Sequence, residues 1–281
     1  MAISRAQLLK ELLPGLNALF GMEYARYDDE HGEIYETESS DRSFEEEVKL
    51  SGFDAAPVKD EGSAISYDAA QESFTARYNH ETIAMGFAIT EEAMEDNLYD
   101  SLSARYTKAL ARAMAHTKQV KAVVPLNNGF TAAYQSGDGV NLFTADGDGV
   151  TGGDGHPLVS GGKNSNRPAT AVDLNETSLE AAVIQIGKWT DERGLMIAAR
   201  PQTLVIPPDL QFVATRVMKS ELRPGTADND VNAVRSMGIV PGGTVVNHYL
   251  TDTDAWFLMT DIPNGMKHFN RVALETSMDG D

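Results

Sequence analysis

The 281-residue chain reads as an α+β protein of unequal parts, and three observations predict this. The stretch from Thr90 to Val124 contains neither Gly nor Pro. As one helix it would run roughly 50 Å at about 1.5 Å per residue, further than a single round core can use. Residues 33–89 turn and alternate like extended chain but carry too few large apolar side chains to form a core. From Ala169 onward, helical and strand patterns follow each other as in a mixed α/β layer.

The chain opens with Leu8, Leu9, Leu12, Leu13, Leu16 and Phe20 at helical spacing, which predicts a leading amphipathic helix that Pro14 kinks or shortens. Its single apolar face needs a partner surface, within the chain or on a neighbour. In the next region, "EIYET" and Phe44–Leu50 read as short strands, and Gly52, Pro57 and Gly62 mark loop and turn. Phe74, Ala76 and Tyr78, then Ile83, Met85, Phe87 and Ile89, alternate with period two. This pattern predicts a long two-stranded arm. An isolated hairpin is marginal in water, so the arm is expected to lie on another surface.

The long helix has Thr90 as N-cap, with Glu91, Glu92, Glu95 and Asp96 in its first turns and Arg112, Lys118 and Lys121 in its far half, in line with the helix dipole. Met94, Leu98, Leu102, Tyr106, Leu110 and Met114 form an apolar ladder, continued loosely by Val120 and Val124, and the helix is expected to end against Pro125. The heptad spacing is not sustained, which disfavours a coiled coil. Residues 126–166 are dense in Gly, Asp, Asn and Ser and read as loop with one or two short strands. Ser178 to Arg193 is expected to be helical, with Asn175 or Thr177 as N-cap and Gly194 just past its end. "TLVIPP" is a buried strand stopped by Pro207 and Pro208. A helix with the face Leu210, Val213, Ala214, Val217 and Met218 follows, and "GTVVNHYL", "AWFLMT" and "KHFNRVALETS" read as three more strands.

Composition narrows the function. Lys and Arg number 23 against 42 Asp and Glu, a net charge of −19, so the basic stripe that nucleic-acid binding requires is not expected. The acidic excess suits a solvated surface, or a container wall that must not adhere to a packed polyanion. There is no Cys, which removes disulfides, thiol nucleophiles and Cys-ligated metals within this chain. No apolar run is long enough for a membrane-spanning helix, and the N-terminus lacks the apolar core and cleavage site of a signal peptide. Cytosolic synthesis is the simpler expectation.

Candidate chemistry is thin. "DGDG" (Asp146 to Gly149) with Asp154 resembles a calcium loop, but Gly149 stands where a third ligand is needed and no closing Glu follows. His80 to Ala84, "HETIA", has Ala84 in place of the second zinc-binding His. "SGGKN" (Ser160 to Asn164) has Pro157 and Asn164 where a phosphate-binding loop needs Gly and Ser or Thr. His31, His80, His116, His156, His248 and His268 are scattered. No catalytic residue, cofactor or metal is therefore assigned. The alternative carried forward is a soluble metal- or small-ligand-binding enzyme or module using the Asp/Gly-rich loop 146–154.

The order of parts is the informative signal. The run "AAPVKDEGSAISYDAAQESFTARYNHETIAMGFAITEEAMEDNLYDSLSARY" resembles the major capsid protein of tailed bacteriophages, the HK97-like fold. Ala56, Val58, Glu61 and Gly62 form a turn similar to that family's A-x-x-V-x-E-G, with one residue fewer before the Val and one more after it. Two extended segments follow within Phe74 to Ile89, and Thr90 with Glu91 and Asp96 opens the long helix. "PLNNG" (Pro125 to Gly129) resembles the stop of that helix. "ETSLEAAVIQIGKWTDERGLMIAARPQTLVIPPDLQFVATRVMKS" is similar to the helix–strand–helix unit of the family's axial domain.

The resemblance implies an N-terminal arm over 1–32, an extended β-hairpin arm (the E-loop) over 33–80, and a peripheral domain over 81–139 whose spine helix is 90–124. It implies an axial domain over 140–262 and a return into the peripheral domain over 263–281. A return strand beyond Asp281 is expected from the same comparison. The implied function is a structural protein that self-assembles, through pentamers and hexamers, into the icosahedral shell around phage double-stranded DNA. It would reside in the virion after assembly in the host cytoplasm. Scaffold, portal and decoration proteins are the further partners. Phe53, Val58, Lys59, Glu61, Arg77 and Tyr78 are the expected inter-subunit contacts, with Lys59 read as an exposed charge or a salt bridge to a neighbour rather than as cross-linking chemistry.

Overall fold

The computed structural model describes residues 5–90, 99–147, 154–223 and 230–277, and the side chains of all of these except 5–13 and 99–101. Its first helix, α1 (Arg5–Tyr24), runs through Pro14 instead of being shortened by it. α1 packs along the long helix α2 (Tyr99–Asn128), so its partner lies within the chain. Phe20 on α1 is buried. The predicted leucine stripe before Pro14 and the helix-opening residues Glu91, Glu92, Met94, Glu95, Asp96 and Leu98 lie outside the described side chains.

Helix α2 has 30 described residues, about 45 Å at ~1.5 Å per residue. Two expectations for it need correction. Pro125 does not end it: the helix continues to Asn128. The proline forfeits one backbone hydrogen bond, but Leu126 just beyond it is buried in the main apolar cluster with Val123, and that burial holds the last turn. The buried face is also not the predicted ladder. It is Ser103, Thr107, Ala111, Ala115, Gln119, Val123 and Leu126, one residue further along. Leu102, Leu110 and Met114 are only half-buried and Tyr106 and Val120 are exposed. Small side chains along the buried face let neighbouring backbone come close, which the bulkier ladder would prevent.

Strand β1 (Glu36–Ser39) pairs in parallel with the late strand β9 (Lys267–Asn270). β2 (Phe44–Leu50) pairs antiparallel with β3 (Glu72–Asn79). The alternating residues Ile83, Met85, Phe87 and Ile89 form no strand. They have no ladder partner, and the Phe87 ring instead packs against Tyr106 at 5.6 Å. Among its described residues, the Gly-rich region contributes the two-residue pair β4 (His156–Pro157) and β5 (Lys163–Asn164) and a single bridge between Gln135 and Asn141.

Helix α3 spans Glu176–Ile186 and is capped by Asn175, whose side chain accepts from the Ser178 N–H while Ser178 Oγ accepts from the Asn175 N–H. It stops at Gly187, well short of the expected Arg193. The Trp189 indole N–H donates to the Ser165 carbonyl at 2.8 Å and Asn164 Nδ2 donates to the Thr190 carbonyl at 2.6 Å. These bonds to the Gly-rich region draw the chain off the helix axis, and Gly194 (φ +86°) serves a turn instead of a helix end.

The central strand β6 (Pro201–Ile206) lies between β7 (Thr244–Val246), parallel to it, and β8 (Phe257–Thr260), antiparallel. Its period-two alternation divides the core. Val205 joins Ile34, Val123, Leu126, Leu250 and Phe257, with Phe130 and Phe143 packed alongside. Leu204 and Ile206 join Leu174, Ala214 and Val240. Ala214 belongs to α4 (Gln211–Lys219), which follows a 3₁₀ turn starting at Pro208. A short helix α5 (Ala233–Met237), capped by Asn232 and closed by Gly238 (φ +58°), completes this side. The Val205 cluster thus unites residues from both sides of the expected boundary at residue 140.

Candidate functional site

The arm is built by β2 and β3 and by the segment that joins them. From Phe44↔Asn79 the ladder runs to Lys49↔Phe74 and then slips, so that Leu50 faces Glu72 and Ser73 is the extra residue of a bulge. A last link is made by Ser51, whose N–H donates to the Gln71 carbonyl at 2.8 Å. Beyond it, every residue from 52 to 72 is exposed. The Ser63 N–H donates to the Asp60 carbonyl at 3.2 Å and Gly62 has φ +83°, the geometry of a type II turn, whose third position favours Gly.

Two of the expected contact residues lie at this outer end with their apolar surface uncovered. Val58 is 95% exposed and Phe53 61%, beside Tyr67 at 88% and Ile65 at 60%. Lys59 and Glu61 flank them at the turn, also exposed. Asp68 accepts from the N–H groups of Asp54 and Ala69, both at 2.8 Å, which holds its carboxyl below the usual range.

Arg77 and Tyr78 lie at the other end, on β3. Arg77 pairs with Glu46 across the ladder and covers the Phe44 ring at 4.2 Å. Tyr78 packs on Phe269 at 5.2 Å and its hydroxyl donates to Glu47 at 3.3 Å. Burial, and then the Glu47 charge, raise its pKa. The six expected residues therefore divide into an exposed outer group and a root pair engaged with their own chain.

Sequence reasoning did not identify the groups that hold the root. Lys267 on β9 is nearly buried and reaches both Glu38 on β1, at 3.0 Å, and Glu47 on β2. Its hydrogen bonds to Glu47 and Glu38 raise its pKa. Gly137 lies against Ala76 and Phe74 so closely that a Cβ there would be 2.9 Å from the Ala76 Cβ. Glu192 and Arg193 reach the arm from the loop after α3. None of these partners is near the arm in sequence, and no local pattern marks them.

In the rival loop, the described carboxylates of Asp146 and Asp154 already have a protein partner. Lys163 bonds to the Asp154 carboxylate and lies 3.5 Å from Asp146. The ammonium and the Gly147 N–H depress the Asp154 pKa. Asp148 and Gly149 lie outside the described residues. Among the described residues no group of three or more His, Asp or Glu side chains is arranged to hold a metal, and no helix is long and apolar enough to cross a membrane.

The histidines have local partners. His80 meets Ser40 Oγ at 3.0 Å, His156 meets Asp138 at 2.6 Å and His248 meets Glu30 at 2.7 Å. His116 packs on Tyr249, and His31 on His268. Ser136, Asp138 and His156 form a chain of hydrogen bonds, but Ser136 Oγ donates to Asp138 and not to the imidazole. That order cannot activate a serine, whose base must take the proton from its hydroxyl.

Comparison with known proteins agrees with the architecture. A chain of the bacteriophage JBD30 procapsid aligns with a TM-score of 0.57 at 15% identity, covering 88% of this chain and 100% of that one. A chain of the JBD30 capsid decorated with minor capsid protein trimers gives 0.54 at 15% identity, covering 78% and 90%. No curated protein matches the sequence. The model of the phage capsid protein family matches residues 74–280. With most of its sequence inside that match, the chain belongs to the phage capsid protein family and has a structural role in the capsid.

Proposed function

We propose that this protein self-assembles, as pentamers and hexamers, into an icosahedral head shell that encloses phage double-stranded DNA. The observation that carries this reading is the arm: residues 52–72 are exposed throughout, and the described residues leave most of Phe53, Val58, Ile65 and Tyr67 uncovered. On a monomeric protein such a limb would be a liability. Laid over an adjacent subunit it becomes a heterologous contact, the kind that closes into rings and shells.

In this reading β2, β3 and their connection are the E-loop of an HK97-like subunit, and α2 is the spine of its peripheral domain. The axial domain over 140–262 meets its copies at capsomer centres. Phe53, Val58, Lys59 and Glu61 contact the neighbour directly, and Arg77 and Tyr78 hold the root from which the contact is made. The net charge of −19 suits a wall that encloses DNA without binding its sequence. Decoration proteins are partners of the same kind as the trimers on the JBD30 capsid, with scaffold and portal proteins completing the set. Assembly takes place in the bacterial cytoplasm and the product is the virion shell. The protein has no catalytic task.

Negative-stain electron microscopy of the expressed protein, across concentration and salt, tests this. Closed shells, or rings of five and six, are expected. A population that stays monomeric even when scaffold is co-expressed would overturn it.

A further inference from the structure

We propose that Glu192 and Arg193 form the fulcrum of the arm, fixing the direction in which residues 52–72 leave the body of the subunit. This rests on the capsid reading above. Glu192 is 3% exposed, and a buried carboxylate is stable only when paired and hydrogen-bonded. Its partners come from both strands of the arm and from the Gly-rich region. Lys49 Nζ on β2 lies 2.6 Å away, the hydroxyl of Ser73 donates at 3.4 Å, and the Val159 N–H donates at 3.2 Å.

Ser73 is the bulge residue, so the carboxylate grips the arm where the ladder slips and the strand direction changes. Arg193 takes hold one step further out. Its Nη2 donates to the Ala69 carbonyl at 2.7 Å and its Nη1 lies 3.8 Å from Asp54.

The turn that presents this pair is itself rigid. The Asp191 carboxylate accepts from the N–H groups of Arg193 and Leu195, at 2.9 and 2.8 Å, and the Ser160 N–H donates to the Glu192 carbonyl at 3.0 Å. The ladder between β2 and β3 and its root on Lys267 and Phe269 stand without these contacts, but the direction of the chain beyond the Ser73 bulge does not. Among the described residues, no hydrogen bond or ion pair ties residues 55–67 to the body. A small angular change at Ser73 is multiplied along their length. An arm must meet a neighbour at one angle for a shell to close with one curvature, so Glu192 and Arg193 act on assembly as positioning residues.

The test is hydrogen exchange on dissociated subunits of Glu192→Gln and Lys49→Met, with electron microscopy of the particles each forms. Lys49 is half-exposed, and without it Glu192 keeps its hydrogen bonds from Ser73 and Val159; protection of β6 and α4 in the same experiment reads whether each variant is folded. Exchange of the amides at Ser51, Ala69 and Gln71 is expected to quicken about tenfold or more in both variants, while β6 and α4 keep wild-type protection. Particles are expected to become open or mixed in diameter.

Arm exchange unchanged in both variants would overturn the fulcrum. So would uniform shells of wild-type diameter despite faster exchange. Failure of the unaltered chain to form shells would count against the capsid reading, and the exchange data would still decide whether the pair holds the arm.

Discussion

Replacing Gly129 by Ala tests how tightly the end of the long helix is tied to the core. Gly129 follows the last residue of α2, and a Cβ on it would stand 2.6 Å from the Pro125 carbonyl oxygen and 2.7 and 2.8 Å from Cδ2 and Cε2 of Phe143. Neither neighbour is free to yield. The Pro125 carbonyl belongs to the last turn of the helix. The Phe143 ring is held by Phe130 at 4.8 Å and Phe257 at 5.3 Å, and its own N–H donates to the Gly129 carbonyl at 2.8 Å.

Overpacking a fixed site costs about 1–3 kcal/mol. With both neighbours fixed, the upper part of that range, about 2–3 kcal/mol, applies. Gly→Ala returns about 0.4–1 kcal/mol through the unfolded chain, leaving a net loss of about 1–2.6 kcal/mol. For a chain of this size that lowers the melting temperature by about 2–10 °C. Calorimetry on unassembled subunits measures it, and adding Phe143→Leu should restore part of the loss by making room. A melting temperature at or above wild type for Gly129→Ala alone would refute the account of this packing.

Three further outcomes follow from named contacts. Val58→Asp should leave subunit stability within about 0.5 kcal/mol, as for other unengaged surface positions, yet abolish shells in electron microscopy; normal shells would remove Val58 from the interface. Gly15→Ala, inside α1 with nothing within 4 Å of the added Cβ, should stabilise the subunit by about 0.4–1 kcal/mol, and a lower melting temperature would show that α1 is not helical there. Burial lowers the pKa of His31, and burial together with the His31 charge lowers that of His268. The unfolded chain therefore takes up these protons first, so their contribution is fully present above the ordinary value of 6.5 and is lost as pH falls below it. Thermal melts from pH 7.5 to 5 should show this acid limb, flattened in His268→Phe; identical limbs would refute it.

How much of this was legible in the sequence depended on whether the deciding contact was local. β2 was readable to its end residues, because alternation and the Gly52 break are both local. The cap, narrowed to Asn175 or Thr177 and found at Asn175, and the strand before Pro207 were readable for the same reason. The arm was legible as a surplus of extended chain. The resemblance to phage capsid proteins rested on the order of parts, and the family match bears it out. Glu192, Arg193 and Lys267 left no mark, since a charged residue does not announce which distant residue it pairs with.

The long helix shows why a strong local pattern can still misplace a face. Leu102, Tyr106, Leu110 and Met114 satisfy every rule for a core-facing stripe, yet Ser103, Thr107, Ala111 and Ala115 are the residues buried. Burial of a helix against another at close range selects for small side chains as strongly as for apolar ones, because the gain from many close contacts rises as the backbones approach. Hydrophobicity ranks Leu above Ser and so points one residue away from the true contact. The displaced ladder keeps its apolar surface half-covered on the subunit.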